Sequence, residues 1–135
     1  MARDTAALIA WLDQGAHRRF RWGRDCVRFA CDAVEVQTGT DPAPGLRWRT
    51  RREALAILDA EGGLIAAVDR RLQRVAPALA RRGDIAGVPE KGAIGLRLMV
   101  IEGATLVAPG TNGHDRQPRS AMTIAWSAEA VVPHG

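Results

Sequence analysis

The 135-residue sequence has little cysteine, little histidine and no long apolar run, and each shortage excludes something. No stretch approaches the ~18 apolar residues of a membrane span. An apolar segment behind a positive start is also missing at the N-terminus, because Asp4 and Asp13 interrupt it. The expectation is a soluble chain folding in a bacterial cytoplasm. The two cysteines, Cys26 and Cys31, lie five positions apart. On one helix, five steps of about 100° leave them roughly 140° apart, on different faces and unable to close a disulfide. No CxxC pair or Cys/His cluster has metal-ligand spacing, so no metal and no cofactor is expected. No internal repeat or low-complexity tract is present.

Charge of one sign is scarce too. The formal net charge is +4, from 19 basic and 15 acidic residues. The arginines occur in pairs (Arg18-Arg19, Arg51-Arg52, Arg70-Arg71, Arg81-Arg82), which read as solvated helix faces and not as one basic stripe. No specific nucleic-acid binding is expected from them. The 47% hydrophobic and 25% charged content is that of a globular chain, long enough to bury a core as one domain over 1–135.

The spacing predicts four helices, then strands. Asp4 or Thr5 caps a helix running to Gln14, with Leu8, Trp11 and Leu12 on one face and Gly15 as its stop. A second helix runs over 25–38 with two apolar stripes, Val27/Ala30/Val34 and Phe29/Ala33/Val36, as a helix central to the fold would have. Gly39 ends it, and the Asp41-Pro42-Ala43-Pro44-Gly45 loop cannot continue it. Thr50 and Glu53 have capping-box spacing, starting a third helix near Arg51 that Gly62-Gly63 breaks. A fourth spans 64–73, and 76–82 adds one more turn.

Beyond Gly83 the pattern becomes β. Strands are expected over 84–88, 94–101, 104–108 and 122–127, with a hairpin turn at Glu102-Gly103, a polar loop over 110–119 and a loose tail over 129–135. Helices first and strands after indicate an α+β fold whose N-terminal helices pack on a small C-terminal antiparallel sheet.

Cys26 is the sharpest chemical feature. It lies in the first turn of the second helix, where free N–H groups and the helix dipole lower a thiol pKa and favour a nucleophilic thiolate. The competing reading is a small buried hydrophobe. Asp25 beside it caps the helix, and its charge opposes thiolate formation. Cys31, mid-helix, reads as packing. Trp11 and Trp126 fit a core. Trp22 and Trp48 sit in loops, where they either join the core or line a groove near Cys26.

The elements Phe20-x-Trp-Gly-Arg-Asp-Cys-x-x-Phe-Ala and Thr38-Gly39-Thr40-Asp41-Pro42 resemble small proteins of phage and prophage tail gene clusters and of gene transfer agents. These in turn are similar to NlpC-type cysteine peptidases of the papain-like fold. The resemblance continues through Trp48-x-Thr50, Ala54 to Gly63, Gly83-Asp84-Ile85 and Ala93-Ile94-Gly95-Leu96 to Ala125-Trp126. It implies a papain-like, NlpC-type fold with Cys26 at the nucleophile position. It also implies a histidine base at the start of the first long strand, at about residue 93. That residue is Ala93, which cannot take a proton.

Three histidines remain as substitutes. His17 adjoins the loop leading to Cys26, His114 lies in the long polar loop and could fold back as a base, and His134 is next to the terminus. Glu102, at the strand turn, reads as a surface charge. The resemblance therefore implies a non-catalytic structural component of a phage-like tail tip or baseplate, carried in the virion tail. Its partners would be hub, distal tail and tip proteins. The alternatives are an active cysteine hydrolase cutting peptidoglycan peptides during DNA delivery, and a cytoplasmic assembly factor that leaves before maturation.

Overall fold

A computed structural model describes residues 3–130. Over the described residues the fold is α+β, with four helices packed on one antiparallel six-stranded sheet. The helices are α1 (Thr5–Gln14), α2 (Cys26–Thr38), α3 (Arg51–Ala60) and α4 (Leu64–Asp69). The strands are β1 (Leu72–Val75), β2 (Ile85–Pro89), β3 (Leu96–Ile101), β4 (Thr105–Gly110), β5 (Gly113–Pro118) and β6 (Ile124–Ala130). The sheet order is β1-β6-β2-β3-β4-β5.

Local chemistry sets the helix starts. Asp4 accepts from the Ala7 amide, Asp25 from the Val27 and Arg28 amides, and Thr50 from the Glu53 amide. Gly39 closes α2 in the left-handed conformation at φ 84°. Both apolar stripes of α2 are used: Val27, Ala30 and Val34 are buried, as are Phe29 and Ala33. The helix packs on β3, β4 and β6 below it and on α1 beside it. Alternation along the strands then divides the sheet core. Ile85, Leu98 and Val100 belong to the cluster shared with the helices, while Ala86, Met99 and Ile101 join Ala80 and Met122 in a second one. With both faces covered, β3 reads as an almost unbroken apolar run.

Three expectations are corrected. The fourth helix stops at Asp69, and residues 72–75 form edge strand β1 against β6. Leu72 is buried there while Gln73 and Arg74 are exposed, which a helical reading of so short a segment cannot distinguish. The polar stretch 110–119 is not a loop. It holds β5, which turns back at Thr111-Asn112 and pairs with β4 from Gly110↔Gly113 to Thr105↔Pro118. An edge strand buries so little that its sequence stays polar, and apolar alternation gives no signal. Finally, β6 continues through Ala130, so Glu129 and Ala130 of the expected loose tail are in the sheet. The rest of that tail, with His134, lies outside the described residues.

The turn expected over 76–82 is a single 3-10 turn at Pro77–Leu79. It leads into Gly83-Asp84-Ile85, whose residues each have a structural task. Gly83 has φ 91°, and a Cβ there would collide with the Gln37 carboxamide of α2. Asp84 is buried, accepts from the Arg81 and Ala128 amides, and pairs with Arg3 at 2.7 Å. Ile85 is fully buried in the core.

Candidate functional site

Asp25 organises the entry to α2. One carboxylate oxygen caps the helix, and the other accepts from the Trp48 indole N–H at 2.5 Å. Gly23 lies at φ 94°, with its Cα so close to Trp48 that a Cβ would sit 2.7 Å from the Trp48 carbonyl oxygen. The Trp-Gly-Arg-Asp-Cys segment is thereby clamped onto the loop carrying Trp48. Cys26 follows directly and is partly buried, packed against both apolar clusters.

The thiol faces a cleft of about 380 Å³. Trp22, Trp48, Phe20, the β2–β3 connection over 90–95 and the first residues of β3, Leu96 and Arg97, form its walls. Trp48 is buried in the core shared with the helices and the half-buried Trp22 packs against it, while both also line the groove beside Cys26, so the core and the groove readings of these tryptophans are both met. Ala93 is also in this wall, exposed to the cleft, so the position implied for the base reaches the cleft of the thiol and carries only a methyl group.

Electrostatics oppose a thiolate. Burial pushes the Cys26 thiol up to about 12. A hydrogen bond from the Leu98 backbone amide and the charge of Arg97 pull downward but are outweighed, and Asp25 and Glu90 push further up. The helix-start argument for a low pKa is therefore overturned here: desolvation of the sulfur and the capping carboxylate defeat the dipole. Cys31 is buried within α2, its thiol raised to about 11 chiefly by burial. Both cysteines are free thiols.

None of the described histidines lines the Cys26 cleft. His114 is on β5, two strands from β3, with its ring edge-on to Phe29 at 5.2 Å. Its Nε2 is buried with no hydrogen-bond partner among the described residues. Burial lowers its pKa, and the charges of Arg18 and Arg116 lower it further, so its surroundings favour the neutral imidazole. The suggestion that His114 folds back as the base for Cys26 is thus not met by its placement, because β5 is held in register with β4 and turns the ring toward α2. His17 is exposed and lines a different cleft. Of the carboxylates at the Cys26 cleft, Asp25 is committed to the cap and Asp115 pairs with Arg97 at 3.0 Å. Glu90 is an exposed residue at the end of β2. Glu102 pairs with Arg116 at 2.7 Å, a surface charge as expected.

The second cleft was not legible as a site. Residues 18–21 run extended, tied to the sheet by the Phe20 amide donating to Gly110 O at 2.8 Å, and residues 21–24 then close a tight turn in which the Arg24 amide donates to Arg21 O at 2.9 Å. Successive side chains alternate across the extended part. Phe20 borders the Cys26 cleft, whereas Arg19 and Arg21 on either side of it border a cleft of about 540 Å³, and Trp22, in the turn that follows, borders the Cys26 cleft and a shallow groove next to Arg21. Arg18, Arg24, Arg28 and Arg47 converge on that same cleft. The arginines of this region are therefore not dispersed over solvated helix faces, as the pairing pattern suggested. The Arg-x-Arg alternation around Phe20 was the available signal, and only the extended backbone turns it into one face.

Among the described residues, no group of three or more His, Cys, Asp or Glu is placed to hold a metal ion, and no helix is long and apolar enough to cross a membrane. No curated protein matches the chain. The family described as a domain of unknown function, DUF6950, matches residues 2–128, nearly the full length, and the chain belongs to that family.

Proposed function

We propose that this chain is a non-catalytic docking component of a phage-like tail tip or baseplate, built on a degenerate papain-like, NlpC-type cysteine-peptidase fold. The observation that carries the non-catalytic part is the Cys26 cleft. It holds a thiol with a pKa raised to about 12, a methyl group at Ala93, and no imidazole among its lining residues. A thiol is a competent nucleophile only as thiolate, which needs a lowered pKa or a positioned base. Of the nearby carboxylates, Asp25 caps α2 and Asp115 pairs with Arg97, and a carboxylate is far too weak a base to deprotonate such a thiol. The order of helices and antiparallel strands, with a cysteine opening the central helix against the sheet, is compatible with the papain-like reading. The tail location rests on the sequence resemblance.

As a docking module, the domain offers a groove walled by Trp22 and Phe20, the latter 42% exposed. Such a groove suits an aromatic-anchored contact with a hub or distal tail protein. Two measurements test the proposal. Purified particles from the producing host are expected to contain the chain at the distal tail by cryo-EM and mass spectrometry. Recovery only from the cytosol would transfer the role to an assembly factor. Zymography on peptidoglycan is expected to show no clearing with either the natural chain or Cys26→Ala, and clearing lost in the variant would establish the hydrolase alternative.

A further inference from the structure

The arginine-lined cleft is separate from the Cys26 cleft and is assigned no role by the docking proposal. Its six guanidinium groups belong to Arg18, Arg19, Arg21, Arg24, Arg28 and Arg47. Two carboxylates oppose them. Arg28 is held at the floor by Asp32 at 3.0 Å and Asp41 at 2.9 Å, and Arg47 approaches Asp41 only at 3.7 Å. Six arginines against two carboxylates leave a surplus equal to the net charge of the entire chain, +4. The rest of the molecule is thus balanced, and the excess is concentrated here.

Arg18, Arg19, Arg21 and Arg24 have no carboxylate within ion-pair distance among the described residues. Like charges lining one cleft repel one another, and an anion in that space relieves the repulsion. Two of the cations are pre-positioned. Arg18 is stacked over the Trp11 ring at 4.5 Å, and Arg28 is fixed by its two carboxylates. The field of the cleft registers on a neighbour as well, since Arg18 is the largest charge contribution lowering the His114 pKa, after burial.

The geometry also selects among anions. Planar guanidinium forks suit phosphate oxygens bidentately. The volume of about 540 Å³ is that of a small-ligand cleft. Single-stranded nucleic acid needs exposed aromatic faces beside the cations. Here Phe20 borders the Cys26 cleft, Trp22 borders that cleft and a shallower groove beside Arg21, Arg24 and Arg47, and the aromatic lining the arginine cleft itself, Phe29, is buried. We propose that the cleft walled by Arg18, Arg19, Arg21, Arg24 and Arg47 binds a compact oligophosphate by its phosphate oxygens, either inorganic or as the triphosphate of a nucleotide.

Calorimetric titration of the full chain with tripolyphosphate, ATP and a single-stranded oligonucleotide tests this, in about 0.15 M salt so that diffuse attraction is screened. Arg19 and Arg21 are exposed and unpaired, so Arg19→Gln with Arg21→Gln leaves folding intact, checked by circular dichroism. Arg52→Gln with Arg81→Gln removes the same charge outside the cleft. Saturable one-to-one binding of tripolyphosphate is expected, weakened at least about tenfold by the first pair and less than about twofold by the second, as for lost charge-assisted bonds. Equal binding of ATP identifies the phosphates alone as the determinant, and tighter binding of ATP identifies a nucleotide as the source. Absence of saturable binding, equal weakening by both pairs, or an oligonucleotide bound far more tightly than either small ligand would each overturn the proposal.

Discussion

At the scale of the residue, Cys26 shows how burial decides a thiol's chemistry. A helix start favours the thiolate, but the sulfur is packed between two apolar clusters beside a carboxylate already committed to the helix cap. Desolvation of an anion outweighs a half-charge from a helix end. A thiol pKa of about 12 against roughly 8.5 for free cysteine lowers the thiolate fraction at pH 8 by about three orders of magnitude. Intrinsic nucleophilicity recovers part of this, so alkylation by iodoacetamide is expected to be about a hundredfold slower than for a free thiol. The rate should rise about tenfold per pH unit, with no plateau before pH 10. Trypsin separates Cys26 from Cys31 at Arg28, so peptide mass spectrometry reads each site independently. Fast labelling of the Cys26 peptide at pH 7 would contradict the raised pKa and reopen the hydrolase alternative.

At the scale of the element, the contact between α2 and the start of β2 fixes the helix against the sheet. The Gln37 side chain donates from Nε2 to the Ala33 and Gly83 carbonyls, so one carboxamide joins the helix to the Gly-Asp-Ile turn. This requires Gly83 twice, for its positive φ and for the space that the Gln37 side chain takes. Gly83→Ala is expected to destabilise the fold by roughly 1–3 kcal/mol from backbone strain, with the collision adding to it. Urea unfolding followed by tryptophan fluorescence measures it. Gly45→Ala, where a Cβ meets nothing, serves as the control and should be close to neutral. An unchanged midpoint for Gly83→Ala would mean that the helix does not depend on this turn.

At the scale of the whole molecule, acid should unfold the protein in two stages. His114 has its pKa lowered by burial and by Arg18 and Arg116, so the unfolded chain binds its proton more readily. The stability this represents is complete above the unfolded histidine value near 6.5 and is lost as pH falls through the lower folded value. Asp41 forms the second stage. Burial alone would raise its pKa, but hydrogen bonds from Arg28 and the Ala43 amide, with the charges of Arg28 and Arg47, hold it below the ordinary carboxylate value. Its contribution is complete above the unfolded value near 4 and disappears at lower pH. Asp69 acts in the same direction, through its hydrogen bonds from Arg74 and the Trp126 indole. Melting temperature against pH should therefore decline below about pH 6.5 and more steeply below about pH 4. His114→Phe, which can keep the packing on Phe29, should remove the first decline, and Asp41→Asn should weaken the second. A profile for His114→Phe that matches the natural chain would show that the imidazole is not kept neutral by its surroundings.

The sequence alone determined what depends on near neighbours in the chain. The caps at Asp4, Asp25 and Thr50, the doubly apolar α2, the glycine stops and the β2 to β4 run were all readable, because each is a matter of spacing within a few residues. The presence of alanine at position 93 was equally plain. Edge strands β1 and β5 were not readable, since their pairing energy comes from a partner elsewhere and their exposed sides leave no apolar rhythm. The pKa of Cys26 and the placement of His114 on Phe29 were settled by desolvation and by strand register, which exist only once the sheet and α2 have met. The convergence of six arginines on one cleft has the same origin: arginines on the 18–24 segment, on α2 and near Trp48 meet only when the fold brings those segments to one face.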